Sequence, residues 1–247
     1  MNRYIVLITT ALLIISLNAC SSRQDVYISN TGEGSVSIEV SLDEMLISYS
    51  RDLLGGFSGS NSDDIRLFDP DKIIYSISDL DSVALTEINS ESADKLYMDL
   101  IFQDPGNIFG SSEEQQVPDI LTFSTSRVDG KNIKKLSLFL SKDNFSSALS
   151  LLGMNNSEIL DTFGPQDNPY TDAEYLDLME FLFEEYESSW KIRSIVKSSE
   201  VLINLKIDGK IINCDGCTFS GSKAVIAIPL LDIVTLEKPI EVVVEWE

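Results

Sequence analysis

Histidine is missing from all 247 residues. Its absence removes the commonest general base, the catalytic triads built on imidazole and most zinc sites, leaving carboxylates and tyrosine as the available acid–base chemistry. Basic side chains are also scarce, with 18 Lys and Arg against 40 Asp and Glu for a formal charge of −22. Nucleic acids are held by clustered Lys and Arg that release counterions. No basic stripe exists here, so no nucleic acid is expected as a partner. No repeat of about 20–50 residues recurs along the chain. No cofactor motif is present, and nothing in the sequence singles out a pair among the many carboxylates for glycoside hydrolysis, so no catalytic residue, metal or cofactor is assigned.

What is present is concentrated at the start. Arg3 is followed by a nearly unbroken apolar run, Ile5 to Ile15, and then by Leu17, Asn18 and Ala19 ahead of Cys20, the first cysteine. The run is shorter than the roughly 20 apolar residues that span a bilayer. Its charged start, apolar middle and small-residue end match a cleaved secretory signal. Residues 1–19 are therefore read as a lipoprotein signal peptide and Cys20 as the acylated first residue of the mature chain. Multiple acyl chains, palmitate among them, would hold the protein to the membrane, since a single chain binds only marginally. Ser21 after the cysteine matches an outer-membrane-directed pattern, which points to the cell envelope and a periplasmic or surface location.

Loss of Arg3 leaves 17 basic against 40 acidic side chains, or −23. A domain of that charge should stand off anionic headgroups. Residues 20–25 are read as the lipidated cysteine and a short tether, Ser21 to Asp25 reaching at most about 17 Å at ~3.4 Å per residue. Residues 26–247 are read as a single domain, long enough to bury a core.

The pattern within that domain predicts an α+β fold. Val36, Ile38, Val40 and Leu42 alternate with polar neighbours, and Gly32 and Gly34 suggest a hairpin across Val26 to Leu42. Helical spacing of Met45, Leu46, Tyr49, Leu53 and Leu54 follows, ended by Gly55 and Gly56, and a short helix is expected over 72–77 behind Pro70. Strands are predicted at 82–88, 95–102, 120–127 and 135–141, the last two joined through Asp129 and Gly130, a strong hairpin signal. Residues 104–119 read as a loop. Helices are predicted at 144–152, 157–163 and 171–189, then strands at 200–207, 210–214, 223–229 and 240–246. Antiparallel sheets from the N- and C-terminal regions, with the helical segment of about 144–189 packed on one face, are the expected architecture.

The 171–189 helix opens on a capping box, Thr171 and Glu174. Tyr175, Met179, Leu182, Phe183 and Tyr186 line one side, and Asp177, Glu180, Glu184 and Glu187 the other, with Glu185 beside them. The acidic row reads as a solvated face or as a site for a cation or basic partner. Tyr175, Phe181, Phe183, Tyr186 and Trp190 are wider than one stripe, so they read either as core or as the lining of an apolar pocket between helices and sheet. Asp63, Asp64, Asp69 and Asp71 lack calcium-loop spacing and read as loop solubility. Cys214-Asp215-Gly216-Cys217 suits a two-residue type I′ turn that sets the cysteines at disulfide distance, and in an oxidising envelope Cys214 and Cys217 should bond.

Leu160 to Leu178 (LDTFGPQDNPYTDAEYLDL), Ser198 to Val201 (SSEV) and Ile228 to Ile240 (IPLLDIVTLEKPI) resemble uncharacterised lipoproteins of spirochaetes. The closing hairpins, with a turn after Lys210 to Asn213, more loosely resemble the LppM-like domain of mycobacterial lipoproteins. The resemblance covers about two fifths of the chain. It implies an α+β envelope lipoprotein without assigned activity and, through the LppM-like domain, binding of a lipid or other envelope ligand. No binding residue carries over. The functional expectation is a lipid-anchored, non-enzymatic envelope protein that takes an apolar ligand between helices and sheet. The alternative is a surface module that meets an envelope protein partner through its acidic exterior.

Overall fold

A computed structural model describes residues 21–58, 68, 70–78, 83–90, 95–103, 120–145, 164–165 and 169–247. The signal peptide, Cys20, Asp63, Asp64, Asp69, the helix expected at 157–163 and all but the first two residues of the helix expected at 144–152 lie outside these residues. The described chain forms strands β1 (Ser21–Ile28), β2 (Gly34–Ser41), β3 (Val83–Asn89), β4 (Lys95–Phe102), β5 (Leu121–Val128), β6 (Lys131–Leu140), β7 (Glu200–Ile207), β8 (Ile211–Asp215), β9 (Thr218–Ser220), β10 (Lys223–Pro229) and β11 (Ile240–Trp246). Its helices are α1 (Glu44–Ser58), α2 (Pro70–Ser78), α3 (Asp172–Phe183), α4 (Ser189–Ser198) and α5 (Leu230–Thr235).

The α+β expectation holds. A seven-stranded sheet runs in the order β3-β4-β2-β1-β7-β10-β9, and a four-stranded sheet in the order β5-β6-β11-β8. Every neighbouring pair is antiparallel except β1 and β7, which run parallel from Ser21 opposite Glu200 to Ile28 opposite Ile207. This parallel pair joins the N-terminal strands to the C-terminal ones within one sheet.

Alternation explains the larger sheet's two faces. In β4, Leu96, Met98, Leu100 and Phe102 are buried, and in β10 Ala224, Ile226 and Ile228 are, while the residues between them are exposed or half-buried. These inner faces share one core with Val242, Val244 and Trp246 of the smaller sheet, with Leu46 and Ile47 of α1 and with Ile73 and Ile77 of α2. Each fully buried aliphatic or aromatic side chain contributes about 1.5–3 kcal/mol.

Three local expectations are corrected. Residues 21–25, expected as a tether, are the first part of β1, hydrogen-bonded between β2 and β7. Strand pairing on both sides overrides their polar composition. The helix expected to stop at Gly55 and Gly56 runs on to Ser58, because glycine costs only about 1 kcal/mol inside a helix and does not forbid it. The helix expected over 171–189 is two helices: α3 ends at Phe183 and α4 begins at Ser189. The Tyr186 N–H bonds back to the Phe183 carbonyl at 2.9 Å, tightening the last turn, and the poor helix formers Ser188 and Ser189 suit a restart.

The two Asp-Gly turns behave differently. Asp129 (φ 51°) and Gly130 (φ 81°) both adopt the left-handed conformation of a type I′ turn between β5 and β6. At the second, only Gly216 is left-handed (φ 70°), so the expected type I′ turn does not form. The chain there leaves the smaller sheet at the end of β8 and enters the larger one at β9.

Alanine substitutions will separate the two turns. At Gly130 a Cβ would meet nothing within 4 Å, so Gly130→Ala should cost only the left-handed penalty of about 1–2 kcal/mol. At Gly216 a Cβ would lie 2.4 Å from the Glu241 carbonyl oxygen, and overpacking adds about 1–3 kcal/mol more. Denaturant unfolding of the two variants checks the order.

Candidate functional site

Four helices attach to one end of the larger sheet, the end at which β1 begins. Ser21 there pairs with Ser41 and Glu200; α1 starts three residues after Ser41, α4 leads through Ser199 into Glu200, and α5 follows Pro229, the residue opposite Glu200. The Leu230 N–H donates to the Ser199 carbonyl at 2.9 Å, binding the start of α5 to the end of α4. The helices bury a second apolar cluster, separate from the core between the sheets, made of Met45, Tyr175, Leu176, Met179, Phe183, Ile192, Val196, Leu230, Leu231 and Val234.

The capping box at the head of α3 forms as its spacing predicts. The Thr171 hydroxyl accepts from the Glu174 N–H, and the Glu174 carboxylate accepts from the Thr171 N–H at 2.9 Å. These backbone and hydroxyl bonds hold the Glu174 carboxyl below its ordinary range.

The five aromatic residues considered as a pocket lining are not brought around one space. Tyr175 and Phe183 are fully buried in the helical cluster. Tyr186 is half-buried: its ring packs edge-on to Tyr49 at 5.8 Å, and its hydroxyl donates to Asp52 at 2.9 Å. Phe181 and Trp190 point outward, 69% and 72% exposed. The break between α3 and α4 is what moves Trp190 onto the second helix.

The acidic row is largely occupied from within the chain. The Arg193 Nε donates to Glu180 at 2.7 Å and its other guanidinium nitrogen to Asp177, while Lys191 pairs with Glu187. These bonds, with one from Ser189 to Glu180, hold the Glu180 and Glu187 carboxyls low. Glu184 and Glu185 stay exposed. Among the described residues no group of three or more His, Cys, Asp or Glu could hold a metal ion, and Asp71 is exposed in α2. Cys214 and Cys217 stand at disulfide distance with Cα atoms 5.7 Å apart, where the chain crosses between sheets.

The sequence pattern missed a different feature. Ser22 and Gln24 face inward with Val26 and Ile28 on β1, 1% and 8% exposed, yet the Ser22 Oγ and the Gln24 Nε2 have no hydrogen-bond partner among the described residues. Their neighbours across the strands are apolar: Val40 and Ile38 on β2, Val201 and Ile203 on β7. Buried polar groups are almost always paired, since an unmade bond costs about 1–3 kcal/mol. The period of two that puts Ser22 and Gln24 with Val26 and Ile28 was there to be read, but polar identity hid it.

No family model matches this chain, and no curated protein does. Among solved structures it is similar to the NMR structure of the folded domain of the Mycobacterium tuberculosis LppM protein, with a TM-score of 0.39 and 9% identity over 94% of this chain and 91% of that one. A likeness that distant carries no argument here about function. Among the described residues no helix is long and apolar enough to cross a membrane.

Burial first, then the hydrogen bond to Asp52, pushes the Tyr186 phenol up to about 12, above the ordinary value of about 10. A raised folded-state value means that its contribution is complete below pH of about 10 and is lost as pH rises through about 12. Tyr186→Phe should therefore flatten the fall in unfolding free energy over that window, read by denaturant titration at stepped pH.

Proposed function

We propose that the chain is a lipid-anchored cell-envelope protein, held through Cys20, that binds a lipid or other apolar ligand by its polar end on the inner face of the larger sheet. The observation that carries the reading is the unpartnered pair on β1. The Ser22 hydroxyl and Gln24 amide lie side by side, buried, in an otherwise apolar surround. A ligand with an apolar body and a carbonyl or phosphate oxygen at one end would bury its body against Val40, Ile38, Val201 and Ile203 and accept from both donors. The helices at the β1 end of the sheet bury a separate apolar cluster beside this face. The signal segment supports an envelope location, and Ser21 supports the outer membrane within it.

The rival reading, a structural or protein-interaction surface module acting through its acidic exterior, keeps the chain's excess of acid but loses part of the row on α3. Arg193 and Lys191 already occupy most of the acidic row.

Native mass spectrometry of residues 21–247, exported behind an ordinary signal and purified without detergent, tests the ligand. The wild type should carry a discrete adduct that is lost on denaturation, and Gln24→Met should lose it while folding normally. A bare wild type, together with a Gln24→Met variant stabilised by about 1–3 kcal/mol through removal of an unsatisfied amide, would overturn the reading and leave Gln24 as a structural imperfection.

A further inference from the structure

Phe181 and Trp190 are exposed on the helical cap, one near each end of the bend between α3 and α4. Arg193 reaches from α4 back to Asp177 and Glu180 on α3, so the two helices fold against each other across the 184–188 bend. One turn toward that bend from Asp177 is Phe181, and one turn toward it from Arg193 is Trp190. Ridges three and four residues apart share a helix face, so both aromatics stand on the face that carries the Arg193–Asp177 pair, at the bend. Each is more than two-thirds exposed.

The bend lies against the first turns of α1. The Tyr49 ring meets Phe183 at 4.9 Å and Tyr186 at 5.8 Å, and α1 begins three residues after Ser41, the partner of Ser21. Cys20 directly precedes Ser21, which is already paired in the sheet. No slack therefore separates an acyl chain on Cys20 from the sheet end that bears the helical cap. A bilayer holding that acyl chain meets this end of the domain, and an exposed Trp beside a Phe is the side-chain chemistry of the membrane interface. Of the charges next to them, Asp177, Glu180 and Glu187 are partly offset by Arg193 and Lys191, while Glu184 and Glu185 stay exposed.

We propose that the α3–α4 bend is a second membrane contact, in which Phe181 and Trp190 seat in the headgroup layer of the bilayer to which Cys20 is acylated. The proposal rests on the lipid-anchor reading. The occupant is a zwitterionic lipid surface, since Glu184 and Glu185 beside the bend oppose an anionic one.

Tryptophan fluorescence reads this directly, because the second tryptophan, Trp246, is fully buried between the sheets. The full chain, exported, acylated and purified in detergent, is reconstituted into phosphatidylcholine vesicles with and without bromine on the upper acyl chain. The expected result is flotation with the vesicles, a blue shift of the Trp190 emission and its loss to bromine quenching. Trp190→Phe should abolish the quenched component, and Phe181→Ser should weaken it with the fold intact, as both side chains are exposed. Protein that floats while Trp190 stays unquenched by bromine and open to aqueous iodide overturns the second contact and leaves the anchor standing. Protein that fails to float overturns the anchor and the contact with it.

Discussion

The parallel pairing of β1 with β7 is the constraint on which the rest of the structure depends. It brings together segments about 180 residues apart and turns two antiparallel ladders, β3-β4-β2-β1 and β7-β10-β9, into one sheet. Loop closure makes such a contact entropically costly, and the seam is correspondingly well tied on its outer face. Asn204 donates to Asp25 at 2.7 Å, the Lys206 ammonium stands 5.8 Å over the Tyr27 ring, and the Tyr27 hydroxyl donates to Asp208 at 2.9 Å. The last of these bonds raises the Tyr27 phenol above its ordinary range. Without the seam the inner face would fall into two narrow halves, and neither the core between the sheets nor the anchoring of α4 at Glu200 would survive.

The seam also explains what could and could not be read from the residues alone. Hairpins whose turns state their own geometry were legible, as at Asp129 and Gly130, and so was α3, whose cap and apolar stripe are local. The seam strand β1 was half hidden. Val26 and Ile28 alternate visibly, but Ser22 and Gln24 carry no apolar signal, and their burial is imposed by β2 and β7 from outside. The same kind of tertiary override moved Cys214 and Cys217 out of a simple hairpin. The chain uses that turn to change sheets, and Gly216 is held by its approach to the Glu241 carbonyl rather than by ladder pairing. The candidate aromatic set failed as a unit for a third reason. A helix read as continuous from 171 to 189 is broken by a bend, and a bend rotates every later residue onto a new face.

Charge has two distinct roles in this molecule. Across the surface the excess of acid is a general field that repels anionic partners. At α3 and α4 it is structural: Asp177 and Glu180 on α3 bind Arg193 on α4 across the hairpin, and Glu187 in the bend binds Lys191 one turn on. Exposed ion pairs contribute little singly, about 0–1 kcal/mol; burial of Tyr175, Met179, Phe183, Ile192 and Val196 fixes which face of each helix turns outward, and the Arg193 pairs tie the two helices together outside that cluster. Phe181 and Trp190 are left outside by the same burial.

If Cys20 carries the proposed acyl chain, a sheet that begins one residue later would convert anchoring into orientation. A flexible linker of several residues would let the domain tumble, because the root-mean-square reach of such a chain grows with its length. A residue held in a ladder on both sides cannot swivel independently of the sheet, so the attachment at Cys20 and any second contact at the bend would fix two points of one rigid body. The strands, eight residues long in β1 and β7, would then carry their opposite ends about 25 Å away from the lipid at ~3.3 Å per residue. That far end holds the Ser29–Glu33 turn, the Tyr27–Asp208 bond and the contact of Lys134 with the Asn30 carbonyl. Ser22 and Gln24 lie two and four residues after Cys20, on the half of β1 nearer the lipid in that arrangement, so the unpartnered donors of the inner face and the attachment point share one end of the strand.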